Sequence, residues 1–245
     1  MRIENNEFMN LEPSGLEPEV IYEDENFLAV NKPAGLLVHE ARIVKHETRE
    51  QTLVGWLLKN YPEVRKVGDD PSTRPGIVHR LDRETSGVMI VARNQKYFTY
   101  LKSLFQKHEI KKVYLALVYG RMKDRGGIIN KPISIKSGTV KRTAFLGKMT
   151  KEAVTDYRVE KLFENFSLLR VMPKTGRTHQ IRVHLASVGH PVVNDHLYAW
   201  SKPRIGGGRL MLHALSLEFV EARGKRLKIE AEPGSDFWGV VRGLG

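Results

Sequence analysis

An acidic residue, Asp82, has unusual neighbours. It follows the basic lead His79-Arg80-Leu81 and precedes a Thr-Ser-Gly turn and an apolar, strand-like run at 88–91. Carboxylates usually lie at solvated positions or helix starts, whereas a turn between extended segments can hold one rigidly. Such a position suits a catalytic or ligand-binding carboxylate. An ordinary turn aspartate that hydrogen-bonds to Thr85 and Ser86 is the alternative, and spacing alone favours it.

Two more side chains have chemistry that complements a carboxylate. Arg182 lies on a predicted helix, on the side away from its apolar stripe. An arginine can orient a carboxylate through two parallel hydrogen bonds, although a solvated helix arginine is the simpler interpretation. Tyr114 lies on a predicted strand, where a half-buried core tyrosine is commoner than a catalytic one.

Residues 76–92 resemble the His-Arg-Leu-Asp motif of the RluA family of RNA pseudouridine synthases. Other stretches resemble the family's tyrosine strand (111–118), its arginine motif (174–185), its Asn-Lys-Pro motif (30–36) and a late leucine motif (209–214). The resemblance covers about residues 20–231. It implies the pseudouridine synthase fold and an RNA substrate.

The resemblance also implies a role for each matched residue. Asp82 corresponds to the essential catalytic aspartate, and Arg182 to the arginine that pairs with it. Tyr114 corresponds to the tyrosine that stacks on the target base and whose hydroxyl is a candidate for handling the C5 proton. Arg80 corresponds to an arginine that fills the gap left by a flipped-out nucleotide. The predicted RNA-binding residues are His79, Arg80, Arg177, His179 and Leu212, the last as a pocket wall.

The implied reaction converts uridine to pseudouridine. The C1′–N1 bond breaks, the uracil reorients, and a C1′–C5 bond forms. Because atoms and electrons are conserved, we expect no cofactor and no metal, and the sequence has no Walker phosphate loop and no Gly-x-Gly-x-x-Gly fingerprint. Asp82 would act at the ribosyl centre as a nucleophile or as a base. Arg182 would compensate the desolvation of a carboxylate enclosed beneath a base.

Composition agrees with an RNA partner. The 245 residues carry a formal net charge of +12, and so basic a domain suggests a polyanion. There are no cysteines, which excludes disulfides and cysteine-bound zinc. No apolar run approaches the roughly 18 residues of a membrane span, and the polar start lacks a signal-peptide layout. We expect a cytoplasmic protein that does not bind membranes.

The pattern of short strands and few helices predicts an α+β fold, with a mixed, mostly antiparallel central sheet and helices packed on it. Residues 1–19 are predicted to be a flexible tail and residues 20–245 the catalytic domain. Thr52 and Asn94 are predicted helix caps, and Thr178 is predicted to open a helix. The predicted strands are 20–22, 27–30, 36–39, 88–91, 113–119, 153–162, 166–172, 210–220 and 227–231.

Competing functions fit less well. Five histidines cluster in the last third but none follows the spacing of a zinc hydrolase, so they are expected to be structural or to face RNA. A serine hydrolase would need a Gly-x-Ser-x-Gly elbow, and a glycosidase would need paired carboxylates, for which nothing singles out Glu84. The main alternative is an RNA-binding protein of the same fold without catalysis. It would require damage at Asp82, Tyr114 or Arg182, and the sequence shows none.

The sequence departs from the family pattern in two places. Where relatives show Gly-Asp-x-Leu-Tyr-Gly, this chain has Asn194 and Ala199 in place of the glycines, and residues 40–51 also lack expected glycines. About 19 residues precede the first predicted strand, too few for the S4-type RNA-binding module of many relatives. We therefore expect a compact stem-loop target in ribosomal or transfer RNA, and a monomeric protein.

Overall fold

A computed structural model of the chain describes residues 16–39, 52–135, 142–144 and 148–245. Most of the predicted tail, and the predicted loop at 40–51, lie outside these residues. Within them, no helix has the length and apolar character needed to cross a membrane.

Nine strands of the described residues form one large sheet, in the order β1-β2-β3-β11-β4-β10-β9-β5, with β12 also paired to β11. All pairings are antiparallel except that of β3 with β11. The strands are β1 Glu19–Glu23, β2 Phe27–Lys32, β3 Ser86–Ala92, β4 Lys111–Tyr119, β5 Gly126–Asn130, β9 Val154–Leu162, β10 Phe166–Pro173, β11 Leu212–Val220 and β12 Arg226–Glu230. This confirms the predicted mixed, mostly antiparallel α+β fold.

A second, three-stranded sheet lies between β5 and β9 in the chain. Its strands are β6 Ile133–Ile135, β7 Arg142–Thr143 and β8 Lys148–Lys151, in the order β7-β6-β8. Both pairings are antiparallel. None of these three strands is among those predicted from the sequence.

Four α-helices pack on the large sheet: α1 Leu53–Asn60, α2 Gln95–Gln106, α3 Gln180–Ser187 and α4 Ser235–Arg242. Two predicted caps are confirmed. The Thr52 hydroxyl accepts from Gly55 N at 3.0 Å, and the Asn94 side chain accepts from Tyr97 N at 2.9 Å. Each bond satisfies a backbone donor that has no partner inside the helix.

Two predictions about elements were wrong, and one helix was missed. Residues 36–39 form no strand, and Leu37 makes only an isolated bridge to Thr52. Helix α3 begins at Gln180, not Thr178, because His179 adopts a left-handed conformation with φ 56°. Helix α4 was not predicted, since Gly239 and two valines lower its intrinsic helix propensity. Burial of Phe237, which has no exposed surface, stabilises that helix instead.

Two apolar cores meet at the junction of β3 and β11. One core surrounds β2, β3, α1 and α2, and the other surrounds β4, β10, β11 and α3. The parallel pairing that joins them is short, with His213 opposite Ser86 and Ala214 opposite Gly87. Gly87 has φ 114°, and a Cβ added there would lie 2.2 Å from the Ala214 oxygen. A glycine is therefore required for the strands to approach this closely.

We predict that Gly87→Ala lowers the free energy of unfolding by about 2–5 kcal/mol. About 1–3 kcal/mol comes from overpacking and about 1–2 kcal/mol from left-handed strain. The matched control is Gly224→Ala. Gly224 also has positive φ, 83°, but no atom lies within 4 Å of the added Cβ, so only the strain applies. Urea unfolding of both variants measures the difference, and equal losses would show that the strand junction tolerates a methyl group.

Candidate active site

A cavity of about 170 Å³ opens where the two cores meet. Its wall brings together residues more than 100 positions apart in the chain. Seven of the eight residues predicted for catalysis or RNA contact line it: Arg80, Asp82, Tyr114, Arg177, His179, Arg182 and Leu212. Nine further residues complete the lining: Leu81, Thr85, Lys112, Pro173, Thr175, Gly176, Thr178, Gln180 and Ile181.

Asp82 lies in the turn that leads into β3. The Asp82 carbonyl accepts from Thr85 N at 3.1 Å. The next residue, Arg83, forms two hydrogen bonds with Gly35. The Gly35 N–H donates to the Arg83 carbonyl at 2.8 Å, and Arg83 Nε donates to the Gly35 carbonyl at 3.0 Å. Among the hydrogen bonds of the described residues, the carboxylate accepts from Arg182 and not from Thr85 or Ser86. The interpretation of Asp82 as an ordinary turn aspartate is therefore wrong.

The buried lysine Lys32 stabilises this turn through hydrogen bonds. Its side chain has no exposed surface, and burial lowers its pKa to about 7, although the charge of Asp82 acts in the opposite direction. Its Nζ donates to three carbonyl oxygens, those of Pro33 at 2.8 Å, Leu36 at 2.8 Å and Arg83 at 3.0 Å. The Asn-Lys-Pro motif thus ties the end of β2 to the turn that carries Asp82.

Arg182 connects the catalytic candidate to a second carboxylate. Arg182 Nη1 lies 3.2 Å from Asp82 Oδ2, while Arg182 Nε and Nη2 donate to the two oxygens of Asp195 at 2.7 and 2.8 Å. Arg182 is 2% exposed and Asp195 1%. Burial opposes the charge on Arg182, but the hydrogen bonds and charges of Asp195 and Asp82 raise the pKa of Arg182 further above its usual value. The alternative interpretation of Arg182 as a solvated helix arginine is therefore wrong, because the side chain is buried and charged.

Asp195 was not singled out from the sequence, although it follows one of the departures from the family pattern. Its Oδ1 also accepts from the backbone N–H groups of Leu197 and Tyr198 at 2.9 and 3.1 Å. Asn194 adopts a left-handed conformation with φ 63°, which asparagine tolerates better than most residues. Ala199 is not among the described residues of positive φ. The turn therefore forms without either glycine.

His179 lies on the cavity wall, and Tyr198 contacts it. His179 Nε2 lies 3.8 Å from Asp82 Oδ2, and its Nδ1 lies 2.9 Å from the Tyr198 hydroxyl. Burial lowers the pKa of His179, opposed by the charge of Asp82. The Arg182 guanidinium carbon lies 5.4 Å from the centre of the Tyr198 ring. Tyr198 therefore contacts both basic residues, Arg182 with its ring and His179 with its hydroxyl.

Tyr114 forms part of the cavity wall from β4. Its backbone pairs with Val171 on one side and Ala214 on the other, which fixes the position of the ring. Burial, and then the charge of Asp82, raises the pKa of Tyr114, so the hydroxyl keeps its proton at neutral pH. Within the described part of the chain, no group forms a hydrogen bond with this hydroxyl.

His79 is the one predicted RNA-binding residue that does not line the cavity. Its ring stacks on Phe105 with 4.5 Å between centroids, and its Nε2 accepts from Ile90 N at 2.9 Å. Burial lowers the pKa of His79 to about 3. These contacts give the histidine a structural role beside β3.

The five histidines of the last third have separate protein contacts. His184 contacts Thr155 and the Lys131 carbonyl, and His213 lies between Ser86 and the Ala231 carbonyl. His190 contacts the Tyr119 carbonyl, His196 pairs with Glu84, and only His179 lines the cavity. No group of three or more His, Asp or Glu in the described ranges is arranged to hold a metal ion.

Comparison with known proteins shows the family to which the chain belongs. The family model described as RNA pseudouridylate synthase matches residues 26–187. A protein of Aquifex aeolicus named uncharacterized RNA pseudouridine synthase is 38% identical over 96% of this chain and 76% of its own length. A ribosomal large subunit pseudouridine synthase D of Pseudomonas aeruginosa is 37% identical over 91% of this chain and 70% of its own length.

Solved structures show the same fold. Human RNA pseudouridylate synthase domain containing 1 superposes with a TM-score of 0.69 at 25% identity, covering 91% of this chain and 86% of that one. Human RNA pseudouridylate synthase domain containing 4 has a TM-score of 0.72 at 24% identity, covering 92% of each chain.

We predict that Asp195→Asn lowers the free energy of unfolding by about 3–5 kcal/mol, because it removes the main partner of a buried charge. Asp82→Asn makes the same carboxylate-to-amide change at a side chain that is 23% exposed. We expect its cost to stay within about 1 kcal/mol. Urea unfolding at neutral pH measures both. Similar losses in the two variants would contradict the assignment of Asp195 as the residue that holds Arg182.

We predict a pH dependence of stability from His79. Its pKa is about 3 in the folded protein and about 6.5 in an unfolded chain. As the pH falls below 6.5, the unfolded chain gains a proton that the folded protein does not, so the free energy of unfolding decreases by up to about 1.4 kcal/mol per pH unit.

His79→Gln should remove this contribution while keeping an acceptor for the Ile90 N–H. The test is urea unfolding of both proteins at several values between pH 6 and 5. The free energy of unfolding of the variant should fall less steeply with decreasing pH than that of the native protein, by about 1 kcal/mol per pH unit. Identical slopes would mean that His79 takes up its proton without unfolding.

Proposed function

Because this chain belongs to the RNA pseudouridylate synthase family and is an RNA pseudouridine synthase, we propose that it isomerises specific uridines of structured ribosomal RNA. The names of the relatives support ribosomal RNA over transfer RNA. Relatives from Borreliella burgdorferi and Pseudomonas aeruginosa, 36% and 37% identical, are both named ribosomal large subunit pseudouridine synthase D. A stem-loop is the RNA element that we expect this domain to bind.

The observation that carries the proposal is the placement of one carboxylate. Asp82 contacts the buried Arg182 at 3.2 Å on one side, while its side chain remains 23% exposed on the other and faces the cavity that Tyr114 also lines. A uracil ring stacked on Tyr114 would bring its ribose to the carboxylate. The charge-assisted hydrogen bond from Arg182 then holds the carboxylate in position.

The chemistry can be assigned to these groups without a co-reactant. Asp82 acts at the ribosyl centre, as a nucleophile at C1′ or as a base on the ribose, and the C1′–N1 bond breaks with its electron pair leaving on the uracil. The ring reorients while it stacks on Tyr114. As the C1′–C5 bond forms, the bond between Asp82 and C1′ breaks or, in the second route, Asp82 returns the proton to the ribose. The proton on C5 is then removed and N1 gains one, so atoms and charge balance. We propose that the Tyr114 hydroxyl relays the C5 proton, giving up its own proton as it takes one.

Entry of the uridine requires that it leave its stack, which costs a few kcal/mol in paired RNA. Arg80 lies on the cavity wall and is exposed, with its Nη1 3.1 Å from His39 Nε2. We propose that its guanidinium occupies the gap left by the flipped nucleotide. Arg177, half-buried on this wall, then contacts the RNA backbone.

We predict that Asp82→Asn lowers the rate of pseudouridine formation by at least about 10²–10⁴-fold, the usual range for removing a general acid or base. The native protein and the variant are incubated, without added cofactor, with total RNA that lacks pseudouridine. New sites are then mapped by carbodiimide-based sequencing. We expect sites in ribosomal RNA with the native protein and none with the variant.

Retained RNA binding by the folded Asp82→Asn variant is the control, because it separates lost chemistry from lost affinity. Sites found only in transfer RNA would replace the proposed substrate but keep the reaction. Equal activity of the two proteins would overturn the role of Asp82.

A further inference from the structure

A second cavity, of about 230 Å³, adjoins the candidate active site. It lies between the three-stranded sheet and the segment 176–178. Gly176, Arg177 and Thr178 line both cavities, so the two share a wall. The other lining residues are Ile133, Ile135, Arg142, Met149 and Lys151.

Three cations line this cavity, and they have no acidic partner among the described residues. None of Arg142, Lys151 and Arg177 takes part in an ion pair there. Arg177 Nε donates to the Glu152 carbonyl at 3.0 Å, which fixes the stem of that side chain. The result is a concave site with three positive charges and no compensating carboxylate.

Arg142 provides an independent observation. Its Nε is the one buried side-chain nitrogen or oxygen that has no hydrogen-bond partner in the described part of the chain. Buried donors in folded proteins nearly always have a partner. Arg142 also lines the cavity, so an acceptor that bound there and drew the guanidinium toward it would satisfy this donor.

The second cavity is also connected to the active site through Tyr198. The backbone N–H of Arg142 donates to the Tyr198 hydroxyl at 3.1 Å, and the same hydroxyl lies 2.9 Å from His179 Nδ1. Strand β7 is held by β6 through the pairs Ser134–Thr143 and Ile135–Arg142. Arg142 thus has a defined position relative to the catalytic cavity.

We propose that this second cavity binds one backbone phosphate of the RNA strand whose uridine occupies the catalytic cavity, an inference that rests on the proposed function. A nucleotide bound through its base keeps both of its flanking phosphates within one sugar of the base, and the two cavities share the wall at 176–178. Arginine forms paired, charge-assisted hydrogen bonds with phosphate oxygens. Such a contact sets the register of the strand without reading its sequence.

The test measures RNA binding as a function of salt concentration, with the stem-loop that the mapping experiment identifies. The variants are Arg142→Gln and Lys151→Gln, and Lys59→Gln is the matched control, because Lys59 is exposed on α1 and lines neither cavity. We expect each test variant to weaken binding about tenfold, as for the loss of one charge-assisted contact. The slope of log K against log salt should fall by about 0.7–0.9. The control should change neither quantity.

A second measurement identifies the ligand as a phosphate of the RNA. Stem-loops that carry a single neutral methylphosphonate, placed in turn on either side of the target uridine, are bound to the native protein and to Arg142→Gln. One replacement should weaken binding of the native protein about tenfold and leave that of Arg142→Gln unchanged. Additive losses at every position would overturn the proposal. If Arg142→Gln does not fold, as judged by circular dichroism, Lys151→Gln replaces it.

The outcomes distinguish this site from the proposed function. If the native protein forms pseudouridine but both test variants keep the native affinity and salt slope, the phosphate site alone is overturned. Native protein that binds the RNA through Arg142 but forms no pseudouridine overturns the catalytic assignment alone. Competition by inorganic phosphate at millimolar concentration, with no effect of any methylphosphonate, would mean that the cavity binds a free anion and not the strand.

Discussion

The paired hydrogen bonds between Arg182 and Asp195 are the interaction on which the candidate active site depends. A guanidinium that is 2% exposed is stable only when its charge is compensated and its donors are bonded. Asp195 provides two of those bonds, at 2.7 and 2.8 Å, and is itself held by backbone N–H groups of the same turn. Arg182 therefore has its third nitrogen, Nη1, available to donate to Asp82. Asp82 stays oriented and partly exposed.

The sheet junction provides the second constraint. Asp82 precedes β3, Tyr114 lies on β4 and Leu212 begins β11, so the site forms only if β3 and β11 pair directly beside β4. That pairing is only two residues long. It requires a glycine at position 87, because a side chain there would collide with Ala214. Because each half of the sheet has its own apolar core, the cavity forms at their common edge.

Buried cations and cations on the adjoining cavity differ in how their charge is compensated. Near the cavity, buried cations are balanced locally: Arg182 by two carboxylates and Lys32 by three carbonyl oxygens. The net charge of +12 comes largely from other side chains. Arg142 and Lys151, which line the adjoining cavity, are examples, and neither has an acidic partner among the described residues. This arrangement lets the protein attract a polyanion while keeping an anionic carboxylate at the centre of the site.

The local features and the family motifs could be predicted from the sequence alone. Helix caps at Thr52 and Asn94 depend on contacts within three residues, and the motif around Asp82 is contiguous, so both could be read directly. Asp195 could not be singled out, since an aspartate in a turn is common and only the approach of α3 buries it against Arg182. Helix α4 and the left-handed His179 likewise follow from packing that overrides weak local preferences. Contacts between distant segments, such as the one between Asp82 and Arg182, carry no local signal, because burial and opposite charge act only once the chain has folded.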